Sequence, residues 1–301
     1  SQRKSLDNDC FALPKGTYWT PVDIALQHLK SNLNSVAGVE RIEVSQSLSR
    51  ILSKPAVARQ NSPPYANSAV DGYGFAKTQV SKERKLRILP GQAAAGRPFK
   101  RVIPKGFAVK VLTGACLPDG VDTVVLQEEV TVQENFFILE TDLRKGANTR
   151  PVAEDVREKE LVLGLGHVLR AQDLALLTSA GVFEVEVFSM LNIGVFSTGD
   201  ELVNTIGAPK MQLDKGTIYD SNRPMLLSLF RKWGQCIHDL GILPDNTDET
   251  RKSLDKAAKK MDIIVTSGGA SSGDEDHISK LLSQEGKLEQ WRIAVKPGRP
   301  L

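Results

Sequence analysis

The sequence is poor in the residues that announce metal and redox chemistry. Its three cysteines, Cys10, Cys116 and Cys236, stand far apart in 301 residues, which excludes a CxxC pattern and argues against a disulfide framework. Four histidines, His28, His167, His238 and His277, show neither i,i+4 pairing nor an HExxH motif. A histidine metal site is therefore not expected, and any metal would sit on carboxylates. Aromatics are only 6% of the chain, and no Lys/Arg cluster alternates with them. With 39 basic against 36 acidic residues the formal charge is +3, too small an excess to argue for nucleic acid. No apolar run approaches the roughly 18 residues of a membrane span, and the first residues lack the charged-then-apolar order of a signal peptide. The expectation is a cytoplasmic protein with no nucleic-acid or membrane partner. No Ser-His-Asp or Cys-His arrangement is evident, so Ser197 and Ser267 read as hydrogen-bonding residues.

What is present is a chain that changes pattern. Thr20-Pro-Val-Asp23 predicts a helix start, with Thr20 as N-cap, Asp23 as the capping-box acid and Pro21 at the first helical position. A strand over 39–44 and a short helix over 45–52 follow, then the prolines Pro55, Pro63 and Pro64. Short β-rich runs punctuated by Gly and Pro succeed them, for example 107–112, 123–126 and 136–139. The pattern turns helical again over 172–179, stopped by Gly181. From Leu191 strands and helices alternate: strands at 193–197, 236–240, 262–267 and 291–295, helices at 222–233, 248–260 and 276–282. The expected fold is multidomain α/β plus β: a doubly wound parallel α/β domain at 188–301, an interrupted N-terminal α+β domain at 1–58 and 148–187, and an inserted β domain at 59–147.

Ligands of a parallel sheet gather at the C-terminal ends of its strands. Two such ends carry similar loops, Ser197-Thr-Gly-Asp-Glu201 and Ser267-Gly-Gly-Ala-Ser-Ser-Gly-Asp274. Thr198, Gly199, Asp200 and Asp274 are thus candidates to line one crevice, and the glycine loop has phosphate-site geometry without a Walker lysine. Asp200, Asp220, Asp274 and Asp276 all fall at strand-to-helix junctions, hard oxygen donors that suit magnesium beside a phosphate. Helix capping by Asp220, Ser221 or Asn222 is the simpler reading of each alone. Lys296-Pro-Gly-Arg-Pro300 sets two cations on a turn stiffened by Pro297 and Pro300.

Together NSAVDGYGF, GQAAAGRPF, VLTGACLPDGVDTVVLQEE, NTRPVAEDV, FSTGDEL, YDSNRP, VTSGGASSGDEDH and KPGRP resemble, in order and spacing, the molybdopterin molybdenumtransferases of MoeA type, relatives of the gephyrin E domain. The resemblance implies molybdenum cofactor biosynthesis: molybdate inserted into adenylylated molybdopterin with release of AMP, assisted by magnesium. It implies a homodimer, with a molybdopterin-adenylylating enzyme and molybdoenzyme maturation factors as further partners. Asp220 and Asp276 match the magnesium-associated acids. Ser267, Gly268, Gly269, Ser271 and Gly273 match the pterin and phosphate loop, and Lys296 and Arg299 the anion-binding cations. Asp71 and Thr113 match positions brought from the partner subunit, and Asp155 the acid of a GED motif. The chain departs from the family pattern in having Ala153-Glu-Asp155 for GED, GGASSGD for GGVSVGD and Arg299 for lysine. The family pattern continues past residue 301 through a GLPGNP-type loop and a β domain, so these residues read as part of a longer chain. The alternatives are a gephyrin-like dimeric scaffold and a molybdopterin-binding, adenylylating relative.

Overall fold

In a computed structural model, residues 20–207, 213–269, 277, 278 and 281 are described. The chain divides into two compact units, one of residues 39–188 and one of residues 1–38 with 189–301. The first element, α1 (Val22–Asn32), belongs to the second unit and buries only Ala25. Pro21 rather than Thr20 takes the N-cap position, and it makes no side-chain capping bond. The expected capping box is therefore absent, because Pro21 sits one place outside the first helical residue rather than on it.

The unit of residues 39–188 begins with β1 (Val39–Glu43) and a single 3-10 turn at Val44–Gln46, where a helix over 45–52 was expected. Three residues of turn suffice because Leu52 and its neighbours are drawn into bridges with Val187 and Val168 instead. Strands β2 (Ala56–Val57), β3 (Asn67–Ser68), β4 (Gly72–Phe75), β5 (Lys85–Ala93), β6 (Phe107–Val111), β7 (Thr123–Leu126), β8 (Phe136–Ile138), β9 (Thr149–Arg150) and β10 (Leu161–Leu163) follow. The unit closes with α2 (Ala171–Ser179), whose chain turns at Gly181 with φ +74°, and β11 (Glu184–Phe188). β11 pairs antiparallel with β1, and β10 with β2. Val44, Leu52, Leu169, Leu177 and Val187 form the core between those pairs and α2.

Strands that fall between them in sequence form a five-stranded sheet in the order β7-β4-β6-β5-β8. Its two faces are both apolar because successive side chains of a strand point to opposite sides. Val109 and Val124 enter one cluster with Leu89 and Val111, whereas their neighbours Ala108 and Val125 enter the other with Phe75, Leu86 and Phe137. Burying Phe137 completely contributes about 1.5–3 kcal/mol. The longest strand, β5, is hidden in the sequence by Pro90-Gly91. Its pairing with β6 skips between Leu89 and Gln92 at that point, the irregularity that lets proline sit within a sheet.

The other unit continues with β12 (Asn192–Thr198), β13 (Leu202–Val203), β14 (Ile218–Tyr219), α3 (Asn222–Lys232), β15 (Cys236–Leu243), α4 (Thr247–Ala258) and β16 (Ile263–Ser267). The sheet β15-β12-β16 is parallel, with β12 central. Ile193 and Val195 pack on Leu227 and Phe230 of α3, while Phe196 packs with Ala257 of α4 and Ile278. Helices therefore cover both faces, the doubly wound arrangement expected of alternating strands and helices. Asn246 caps α4, its side chain accepting from the amides of Asp248 and Glu249. The expected strand 291–295 lies outside the described residues. Among the described residues no helix is long and apolar enough to cross a membrane.

Candidate functional site

The parallel pairing of β12 with β16 sets Ser197 level with Ser267, so their following loops leave the sheet side by side. Thr198 Oγ1 lies 3.4 Å from the Ser267 carbonyl, and Asn222 Nδ2 donates to Ser267 Oγ at 2.9 Å. Gly268 and Gly269 both take positive φ, +96° and +73°. A Cβ on Gly268 would come within 2.5 Å of Thr198 Oγ1, and one on Gly269 within 2.8 Å of Ile278 Cδ1. Only glycine fits twice in succession here, and backbone amides turned this way are suited to an anion. Beside them Gly199 N donates to the Leu243 carbonyl, and Asp200 and Asp245 exchange bonds, each carboxylate accepting from the other's amide at 3.1–3.2 Å. Thr198, Gly199, Asp200, Ser267, Gly268 and Gly269 thus gather at one sheet edge. Ser271, Gly273, Asp274, Asp276, Lys296, Pro297, Arg299 and Pro300 lie outside the described residues.

Asp220 has a different setting from the one expected of a magnesium ligand. Its side chain is 1% exposed. Oδ1 accepts from Ser197 Oγ at 2.9 Å and from the Arg223 amide at 3.2 Å, and Oδ2 accepts from Arg223 Nε at 2.8 Å. Burial pushes the carboxyl upward, but the bonds from Arg223 and Ser197 outweigh it and hold it below the usual range. Its charge is spent on Arg223, leaving neither exposure nor spare charge for a dication. Among the described residues no group of three or more His, Cys, Asp or Glu could hold a metal. In this setting Asp220 anchors the start of α3, closer to the capping alternative, and the other acid expected at magnesium, Asp276, lies outside the described residues.

Arg223 is the residue that sequence reasoning missed. It is buried, with Nη1 paired to Asp239 Oδ1 and Nη2 donating to Asn204 Oδ1 at 2.5 Å. The signal was available: Arg223, Leu227 and Phe230 recur at i, i+4 and i+7, which places a cation on the apolar stripe of the helix.

In the unit of residues 39–188, Asp71 and Thr113 meet. Asp71 Oδ1 accepts from Thr113 Oγ1 at 2.6 Å and from its amide at 2.7 Å. Those bonds, the hydroxyl first, hold the Asp71 carboxyl below its ordinary value. Pairing of β3 with β9 runs the segment before Asp71 beside Thr149 and Arg150. Arg150 Nη2 bonds both oxygens of Asp155 at 2.8 Å, and its Nε bonds Glu154 at 2.5 Å. A separate groove of about 360 Å³ is lined by Arg41, Lys54, Arg59 and Glu186. Arg41 and Lys54 are paired with Glu184 and Glu186 there, so two of its cations are already neutralised.

Two family models match the chain. The MoeA N-terminal region (domain I and II) matches residues 20–181, and the "Probable molybdopterin binding domain" matches residues 194–301. A molybdopterin molybdenumtransferase of Haemophilus influenzae is 36% identical over 280 residues, covering 93% of this chain and 68% of that protein. The corresponding protein of a Nostoc species is 31% identical, covering 91% and 63%. Gephyrin of Dictyostelium discoideum is 30% identical, covering 94% of this chain and 42% of its own length. A crystal structure of the molybdopterin biosynthesis MoeA protein from Pyrococcus horikoshii superposes with a TM-score of 0.77 at 27% identity, over 94% of this chain and 71% of that one.

Proposed function

The chain belongs to the MoeA family of molybdopterin molybdenumtransferases, and from that premise we propose that it acts in molybdenum cofactor biosynthesis as a transferase. It inserts molybdate into adenylylated molybdopterin and releases AMP. The observation that carries the reading is the pair of strand-end loops at β12 and β16, where Gly268 and Gly269 take successive positive φ values beside Thr198 and Ser267. Such a loop binds a phosphate or phosphoanhydride oxygen through N–H donors and a hydroxyl, without a covalent nucleophile. Ser197 is not free to attack: its hydroxyl donates to Asp220. The protein's part is to position reactants. Lys296 and Arg299 supply charge for molybdate in this reading; Asp71 and Thr113, brought from the partner subunit of the proposed homodimer, and Asp155 are its further residues. Because the loops hold the anion through neutral donors, the cations at 296 and 299 carry the charge matching.

The experiment offers the protein adenylylated molybdopterin plus molybdate and, separately, molybdopterin plus ATP. AMP release in the first, with no adenylylation in the second, supports the transferase. Adenylylation in the second would replace it with the preceding step. The gephyrin likeness favours a second reading, a dimeric scaffold. That reading requires stable capture of a partner polypeptide by protein inactive in both assays. The homodimer is a proposal of the same reading, checked by sedimentation at micromolar concentration.

A further inference from the structure

We propose that Arg223 is a positioning residue for the anion loop: it fixes the first turn of α3 so that the neighbouring Asn222 holds Ser267 Oγ and presets residues 267–269. The inference rests on the proposed anion-binding role of that loop. Three segments converge on one guanidinium: Asp220 before α3, Asn204 after β13 and Asp239 on β15. The fork is used on each of its nitrogens, a geometry that lysine's single point charge cannot reproduce. Asp239 reaches it through a bulge. Val195 pairs with Asp239 and Phe196 with Gly241, leaving Leu240 extra, and the Gly241 amide donates back to Asp239 Oδ1 at 3.0 Å. Bulges re-aim side chains in this way.

Burying a cation among two carboxylates is a poor way to gain stability, since apolar residues of the same volume often do as well. What the network gives is a defined position for the start of α3. Asn222 is the residue next to Arg223, and its amide makes the bond to Ser267 Oγ at 2.9 Å. Sequence neighbourhood thus links a clamp centred on a buried guanidinium to an exposed contact on the loop.

The test uses Arg223→Lys, Asn222→Ala and the double variant. Each single change is expected to raise the KM for adenylylated molybdopterin about five- to tenfold with kcat within about twofold, the worth of one lost hydrogen bond. The double variant should be no worse than either single one, because both changes remove the same contact. In parallel, both single variants should shift the backbone amide resonances of Ser267, Gly268 and Gly269. Wild-type KM in Arg223→Lys, or KM increases that multiply in the double variant, overturns the proposal. Should Arg223→Lys fail to fold, Asp239→Asn loosens the same clamp from a side chain that is 33% exposed and is read by the same criteria. A wild-type protein that releases no AMP refutes the proposed function instead. The amide resonances then decide alone, and unmoved amides in both single variants overturn the positioning role.

Discussion

Two arginines in this chain each hold two carboxylates, and the two clusters could hardly differ more in consequence. Arg223 with Asp220 is 2% and 1% exposed, and Asp239 closes the set. Arg150 with Glu154 and Asp155 is 40%, 40% and 51% exposed. The hydrogen bonds are of similar length, so geometry does not separate them. Water does. Around Arg150 the solvent screens each charge and would rehydrate any group left alone, so the cluster adds little net stability. Around Arg223 no such rehydration is open to Asp220, and the penalty for breaking the set is the full cost of a stranded buried charge. Partner count is a poor guide to importance, and exposure of the partner left behind is a better one.

The sharpest way to break this comparison is Arg223→Met. It strands Asp220 among buried groups and should cost about 3–5 kcal/mol in urea denaturation. Adding Asp220→Asn to it should recover part of the loss, since the uncompensated charge goes with the partner. A single variant within about 1 kcal/mol of wild type would show that Asp220 finds water after all, and the contrast with Arg150 would fall.

The contrast also explains what could be seen in the sequence. The alternation of strands and helices after Leu191 is a pattern of period, and the strands at 123–126 and 263–267 emerge within a residue of their expected bounds. β5 was hidden because its regular pairing breaks at Pro90-Gly91, a local bulge that only neighbouring strands define. That the glycine loop and Thr198 share one sheet edge was legible because φ requirements and strand ends leave marks in composition. Arg223 was not read, although it lay on an apolar stripe, since its three partners come from positions 204, 220 and 239. Only folding brings those together. The pairing of Asp220 is not legible for the same reason: an acid at a strand-to-helix junction looks alike whether it faces a cation from solvent or one from its own helix.

Asp173 is an intermediate case that sharpens the comparison. Its carboxylate is 4% exposed, but Arg170, which supplies two side-chain bonds and one amide bond, is 59% exposed. His167 Nε2 lies 2.7 Å away. Removing the acid by Asp173→Ala leaves an arginine that water can reach, so the loss should be that of a helix cap, about 1–2 kcal/mol. The Arg170 bonds hold the Asp173 carboxyl well below its ordinary value, with burial opposing. A carboxyl lowered on folding contributes fully above its unfolded value, near 4, and loses that contribution as pH falls through the folded value. Wild type and Asp173→Ala should therefore differ at pH 7 and converge in acid below about pH 4. A gap that widens as pH falls would contradict the assignment.

The smallest effect is expected at Arg150→Met. Both acids it leaves behind, Glu154 and Asp155, are at least 40% exposed, so the urea midpoint should stay close to that of wild type. The difference should shrink further in 1 M salt, where the screening length falls to about 3 Å. Asp155 is also a residue of the proposed machinery, and Arg150 bonds both of its oxygens. Loss of that bidentate grip frees the carboxylate to rotate, so AMP release can fall while the unfolding midpoint stays in place. Activity and stability both unchanged would mark the Arg150 cluster as surface pairing and remove Asp155 from the proposed site. A stability loss comparable to that of Arg223→Met would instead mean that the exposed cluster is as essential to the fold as the buried one, and that exposure of the stranded partner is not what separates them.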